Sequence, residues 1–181
     1  MNVKANMLIS QLPEVKSLYV MPSAADESLS VGACLHRYYQ ISAEIDHSAS
    51  VFGNLYFGGE SDLAAERQAI ESELSGSGIA ISEHQDIDTV VADALAEGGT
   101  VARCRGRMEW GARALGNRSI LCSADDYAAV DRINKAIKQR DFWMPFAPSI
   151  RAERADDYLR NPMGLDAQFM TFALPTRRET Y

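Results

Sequence analysis

An α/β protein is what this sequence predicts, and three observations carry that expectation. Short apolar runs that read as strands alternate with segments whose apolar residues recur at helical spacing. One such run, residues 100–104, leads straight into R-G-R-M-E-W-G-A-R-A-L-G-N-R-S-I-L over residues 105–121. A strand feeding a glycine-rich turn is the usual layout of an anion site in α/β proteins. The third observation is bulk composition: 181 residues, 46% hydrophobic and 24% charged, fit a soluble globular chain of one ordinary domain or two small ones.

The elements follow in order. Val3, Met7 and Leu8 recur at near-helical spacing and predict a first helix, which Pro13 ends. Residues 17–21, S-L-Y-V-M, form an apolar run before Pro22 and read as a buried strand. P-S-A-A-D-E-S then supplies turn and cap chemistry ahead of a second helix over residues 29–39. From the residues alone Asp26 reads as a helix cap, with a carboxylate presented at a ligand cleft as the alternative.

Residues 47–62 change character, with Ser48, Ser50, Gly53, Asn54, Gly58, Gly59 and Ser61 crowding in, and the domain boundary is placed at 51–61. Residues 62–74 are charged, alanine-rich and helical, 75–78 turn, and 79–81 are read as a short strand. Residues 86–97 put Val90, Val91, Ala94 and Leu95 on one stripe, and Gly98-Gly99 ends that helix. After a strand at 120–122, Asp125 or Asp126 caps a helix whose inner face is Tyr127, Val130, Ile133, Asn134 and Ile137. Residues 142–150, F-W-M-P-F-A-P-S-I, cannot be a central strand because proline lacks the N–H, so they read as a rigid wall. A polar helix at 151–159, a turn at 161–164 and a last strand at 169–174 complete the chain.

The formal net charge of -7 argues against nucleic acid or anionic membrane as partners. Cys34, Cys104 and Cys122 form no pairing pattern and read as reduced, mostly buried thiols of a cytoplasmic protein. No apolar run is long enough for a bilayer span. His36, His47 and His84 lie too far apart for metal-ligand spacing, and no P-loop or dinucleotide fingerprint occurs.

Against that acidic background, Arg105, Arg107, Arg113 and Arg118 stand among Gly106, Gly111 and Gly116. Glycine lets backbone approach a ligand, and arginine offers a planar fork of donors to phosphate or carboxylate. An anion cradle follows, with a solvated arginine-rich loop as the plain alternative. Glu109 is expected to pair with Arg107 or Arg113 and hold it in place. Positioning and charge neutralisation suffice for transfer from an acyl phosphate. The residues by themselves thus reach a phosphate- or nucleotide-handling α/β domain.

The motifs carry a resemblance beyond this. G-R-M-E-W-G-A-R-A-L-G-N-R-S-I-L closely resembles the G-R-M-E-F-G-P-R-A-L-G-N-R-S-I-L signature of the O-carbamoyltransferases of nodulation-factor and antibiotic biosynthesis. I-N-K-A-I-K-Q-R-D-F-W-M-P-F-A-P-S-I is similar to that family's second signature, with its K-x-R-E-x-F-R-P-F-A-P run. N-V-K-A-N-M-L-I and P-S-A-A-D-E-S-L-S-V-G-A resemble the end of its N-terminal domain.

The resemblance implies an actin-like ATPase-fold module ending over residues 1–50, a linker at 51–61, and an incomplete YrdC-like α/β module over 62–181. It implies carbamoyl phosphate and ATP as ligands, carbamoyladenylate as product, and transfer to an acceptor hydroxyl of unknown identity. Arg113 and Lys138 fall on the catalytic positions, while Arg107, Asn117, Arg118, Ser119 and Arg140 fall on substrate- and nucleotide-binding positions. Asp26 matches an aspartate that helps bind a divalent metal, iron or magnesium, whose other ligands lie outside this chain. The isolated chain is therefore expected not to complete transfer. An apolar surface left by the missing part would favour self-association, with a homodimer as the simplest form.

Two departures stand out: Ala112 replaces the usual proline, and Met144 stands where the second signature has arginine. The second leaves a non-catalytic phosphate-binding module open as an alternative. An RNA-binding YrdC-like domain is a further one, opposed by the charge.

Overall fold

In the computed structural model the described residues are 2–42, 52–60, 62–141 and 144–177. His47, Ser48, Ser50 and Ser61 of the expected linker, and Phe142 and Trp143 of the aromatic wall, lie outside them. Helices and a small sheet make a mixed α/β chain, arranged as two compact units. The first unit comprises described residues of Met1–Tyr56, Glu109–Leu115 and Ser149–Tyr181, and the second those of Phe57–Met108 and Gly116–Pro148.

In the first unit, helix α1 (Val3–Ser10) starts at Asn2, whose side chain accepts the Ala5 N–H at 3.0 Å. The helix is tied to the C-terminal segment by two hydrogen bonds: Asn6 Nδ2 donates to the carbonyl of the buried Thr171, and Ala173 N–H donates to Val3. Helix α2 (Leu29–Ile41) follows a 3-10 turn at Asp26–Ser28. Neither that turn nor α2 has a side-chain cap, so Asp26 does not cap the helix as expected from the residues alone. The run at 17–21 is not a strand. Leu18 and Val20 are half-buried, but a run without a hydrogen-bonding neighbour forms no ladder. The same holds at 169–174, where Phe169 and Thr171 are buried and pairing is limited to a bridge between Leu159 and Thr176. The polar helix at 151–159 is found as a 3-10 turn (Ala152–Arg154) running into α6 (Ala155–Tyr158).

In the second unit, α3 (Leu63–Leu74) and α4 (Ile87–Ala96) begin at aspartates. Asp62 accepts the Ala64 N–H at 2.9 Å, and Asp86 accepts the Thr89 N–H at 3.1 Å and its hydroxyl at 2.7 Å. The Thr89 hydroxyl, chiefly, holds the Asp86 carboxyl below the usual range. On α4, Val91, Ala94 and Leu95 are half-buried whereas Val90 is exposed, so the stripe is narrower than expected. Gly98 takes a left-handed turn with φ of 81° that lets Gly99 N–H reach back to Ala94 at 2.8 Å. The expected strand at 79–81 is absent, with Ile79 and Ile81 both exposed.

Strands β1 (Val101–Cys104) and β2 (Arg118–Leu121) pair antiparallel, with Val101 opposite Leu121 and Cys104 opposite Arg118. Helix α5 (Tyr127–Ile133) passes without a break into a π-helical turn at Asn134–Lys138. Ala129, Ile133 and Asn134 are its buried residues, while Tyr127 and Ile137 of the expected inner face are exposed. The thiols differ from expectation as well: Cys34 and Cys104 are exposed and Cys122 is half-buried, all three unpaired.

Asp126 begins α5, accepting the Ala129 N–H at 3.0 Å and pairing with Arg132 at 3.5 Å. Asp126→Ala is expected to lower stability by about 1 kcal/mol in urea unfolding, the usual worth of an N-cap. An unchanged midpoint would mean that tertiary contacts alone fix the start of α5.

Candidate functional site

Residues 109–115 of the first unit form a loop whose backbone is held at several points. Trp110 N–H donates to the carbonyl of buried Leu55 at 2.7 Å. The Glu109 carboxylate accepts the Leu115 N–H at 2.9 Å, and the Tyr56 hydroxyl donates to the Leu115 carbonyl at 3.1 Å. Glu109, expected to steady an arginine, thus closes the loop on itself.

Midway, Gly111 adopts a φ of 103° and lies against Ser23, where a Cβ on residue 111 would come 2.6 Å from the Ser23 Cβ. Ser23 is buried and left-handed, with φ of 56°. Its hydroxyl donates to Glu27 Oε1, and its carbonyl accepts the Ser28 hydroxyl at 2.5 Å. The Ser23 hydroxyl, first, and the Ala112 N–H, last, hold the Glu27 carboxyl below the usual glutamate range. Proline has no N–H, so this contact of residue 112 exists only because alanine stands there. From this braced loop Arg113 projects exposed, with no hydrogen bond or ion pair to any described residue.

The second unit holds the other arginine positions of the first signature. Arg118 donates to the carbonyls of Arg105, Asn117 and Gly106, each at 3.1 Å. Asn117 Nδ2 donates to the Arg107 carbonyl at 2.8 Å, and the Ser119 hydroxyl accepts the Gly116 N–H at 3.1 Å. Arg107 Nε donates to the Gly58 carbonyl at 2.7 Å. Arg105 N–H, bonded to the Asn117 carbonyl at 2.9 Å, continues the β1–β2 ladder into this turn. Asn117, Arg118 and Ser119 therefore shape the turn through the backbone groups they bind. Arg105 is engaged with Asp88 through two contacts at 3.1 and 3.2 Å.

The second-signature residues sit on the π turn. Lys135 pairs with Asp131 at 2.7 Å, whereas Lys138 is exposed without a hydrogen bond to a described residue. Gln139 turns left-handed, φ 48°, and Arg140 follows with its guanidinium carbon 4.5 Å from the Phe146 ring centre. Arg140 Nε donates to Asn134 Oδ1 at 2.6 Å, and Asn134 Nδ2 donates to the Met144 carbonyl at 3.1 Å. At the departure from the family pattern, then, the backbone of Met144 is an anchor.

Arg113 and Asp26 belong to the first unit, and Arg107, Asn117, Arg118, Ser119, Lys138 and Arg140 to the second. Asp26 is exposed with no hydrogen bond to a described residue. Among the described residues no three His, Cys, Asp or Glu side chains gather as a metal site, so Asp26 has no co-ligand here. The expected metal does not fit this residue set. A cleft of about 460 Å³ beside α1, lined by Met7, Gln11, Arg160, Met163 and Leu174 among others, holds none of the expected site residues. Ser23 and Glu27 were not anticipated from the sequence, since nothing local marks a serine that turns left-handed. Among the described residues no helix is long and apolar enough to cross a membrane.

Comparison with known proteins bears on this arrangement. The family described as "Carbamoyltransferase C-terminus" matches residues 92–181. Over 167 residues the chain is 35% identical to "Nodulation protein NolNO" of Sinorhizobium fredii, covering 90% of this chain and 24% of that protein. It is 37% identical to "Nodulation protein NolO" of Bradyrhizobium diazoefficiens, covering 88% of this chain and 29% of the relative. With the "3'-hydroxymethylcephem-O-carbamoyltransferase" of Amycolatopsis lactamdurans it shares 32% identity over 84% of this chain and 27% of the other. The chain thus spans roughly a quarter of the length of these curated relatives.

Proposed function

We infer that this chain, which belongs to the O-carbamoyltransferase family in its C-terminal region, binds the phosphate groups of carbamoyl phosphate and ATP. In this reading the whole protein forms carbamoyladenylate and transfers the carbamoyl group to an acceptor hydroxyl, in the cytoplasm. The observation that carries it is Arg113: an exposed guanidinium without an internal partner, on a loop whose backbone is pinned at Trp110 and Leu115 and whose Gly111 packs on Ser23. A prepositioned cation loses little on binding and stabilises the charge that develops on a departing phosphate. Arg107 and Lys138, both exposed, add donors of the same kind. Arg107 can meet two oxygens at once, whereas Lys138 acts as a point charge.

The same reading takes residues 1–50 as the end of an actin-like module and 62–181 as a YrdC-like module joined by 51–61. Support comes from the family match, which begins at residue 92, inside the second stretch. A divalent metal at Asp26 would need co-ligands that no described residue supplies, so no step is derived through one. Self-association as a homodimer accords with the large exposed side chains Leu29, Leu63 and Tyr127. Met144, in place of the family arginine, favours a second reading, a phosphate-binding module without turnover.

Calorimetric titration with carbamoyl phosphate, with and without a non-hydrolysable ATP analogue, tests the proposal. Arg113→Ala is expected to weaken binding at least tenfold, the loss of a charge-assisted contact worth about 1.4 kcal/mol or more, with the circular dichroism unchanged. Equal binding by the variant would assign Arg113 to the solvated surface. Tight binding with no carbamoyladenylate formed would leave the second reading standing.

A further inference from the structure

Resting on that phosphate-binding reading, we propose that Asn134 is the positioning residue that makes Arg140 a fixed fork for a substrate oxyanion, with Phe146 as its backing. Asn134 is fully buried, and a buried amide requires partners for its donor and acceptor. Its partners converge on one neighbour. Oδ1 accepts Arg140 Nε at 2.6 Å, while the Asn134 carbonyl accepts the Arg140 N–H at 3.1 Å. One asparagine therefore fixes both the backbone and the side chain of the arginine six residues on.

Its Nδ2 donates to the Met144 carbonyl at 3.1 Å, tying in the segment that carries Phe146. The π turn at Asn134–Lys138 and the left-handed Gln139 bring residue 140 back over residue 134. π turns inside α-helices are rare and concentrate at functional sites.

With Nε taken by Asn134 and one face against Phe146, the remaining donors of Arg140 are its two terminal amino groups. They make no hydrogen bond to a described residue. That pair forms the edge of the guanidinium that matches two oxygens of a phosphate. A guanidinium already held in one orientation gives up less freedom on binding than one free to rotate. No other side-chain type meets all the demands. Leucine of similar bulk offers no polar atom, and an aspartate would set its oxygen against the Met144 carbonyl. Lys138, exposed on the same turn, adds positive charge for the same ligand.

The test uses the 15N-labelled chain, reading the Arg140 Nε–H resonance and the calorimetric affinity for carbamoyl phosphate in wild type, Asn134→Ala, Phe146→Leu and Arg140→Lys. In wild type the resonance is expected to be protected from exchange. Asn134→Ala should lose that protection and bind about tenfold more weakly. Arg140→Lys, which keeps the charge and loses the fork, should also fall about tenfold. Phe146→Leu, a change that leaves Asn134 in place, should keep the protected resonance and bind about threefold more weakly.

A wild-type Arg140 Nε–H exchanging as fast as free arginine overturns the proposal, whatever the affinities. So does unaltered affinity in Arg140→Lys or in an Asn134→Ala that is folded by circular dichroism. Those results leave the phosphate reading intact. A wild type with a protected resonance and no affinity for carbamoyl phosphate defeats the phosphate reading, and the substrate fork with it.

Discussion

Gly111→Ala is expected to cost about 3 kcal/mol of stability in urea unfolding and to weaken carbamoyl phosphate binding more than tenfold. Two independent penalties meet at this residue. Its φ of 103° is one that a side chain rarely adopts, and holding it there costs roughly 1–3 kcal/mol. The added Cβ would also arrive 2.6 Å from the Ser23 Cβ, well inside contact distance. Ser23 cannot move away easily, because it is buried and both its hydroxyl and its carbonyl are committed to the turn that carries Asp26. Either the loop backs off, carrying Arg113 with it, or the turn does. Gly116→Ala is the control: its φ is 114°, but nothing lies within 4 Å of its added Cβ. It should show the backbone penalty alone, about 1–2 kcal/mol. Equal losses in the two variants would show that the packing against Ser23 contributes nothing.

The second large effect is expected at Ile133. It is only 1% exposed, and the buried side chains beside it are Ala129 and Asn134. Truncation to alanine should cost about 3 kcal/mol, within the range for a large aliphatic residue removed from a packed site. With Asn134 next in sequence, the cavity opens under the π turn, so the affinity for carbamoyl phosphate should fall as well. Ile133→Val removes one methylene and should cost about 1 kcal/mol. Thermal and urea unfolding of the two variants should scale with the volume deleted. A flat response would mean that the helix collapses onto the gap and that Ile133 is not a fixed core residue.

Helix starts were the most legible part of the fold. Asp62, Asp86 and Asp126 each cap the helix that the spacing predicts, because a cap is decided by one side chain and the N–H groups just beyond it. The strand pair around residues 101–104 and 118–121 was legible for a related reason. The chain doubles back through a glycine-rich stretch, and antiparallel neighbours need no distant partner. The runs at 17–21 and 169–174 have strand-like composition but lack a ladder among the described residues, and composition cannot supply a neighbour.

In the candidate site, the arginines could be singled out by local density. What could not be read was the division of labour among them. Arg118 faces three carbonyls and Arg113 none, a difference that depends on the fold of the turn rather than on residue type. Asn134 was placed on the buried face by its spacing, yet its hold on Arg140 depends on a π turn that no periodicity announces.

That turn has a bearing on how the segment tolerates length change. A π turn holds one residue more than the α-helix would need for the same advance along the axis. Shortening the segment by one residue, for instance by removing Lys135, would let α5 continue in regular register while rotating everything beyond it by about 100°. Arg140 would then swing off both Asn134 and Phe146 with its charge and its neighbours in sequence unchanged. The chain around residue 135 is thus far more sensitive to a single deletion than to most single replacements, and chains carrying an indel here would keep the helix but not the grip on the arginine.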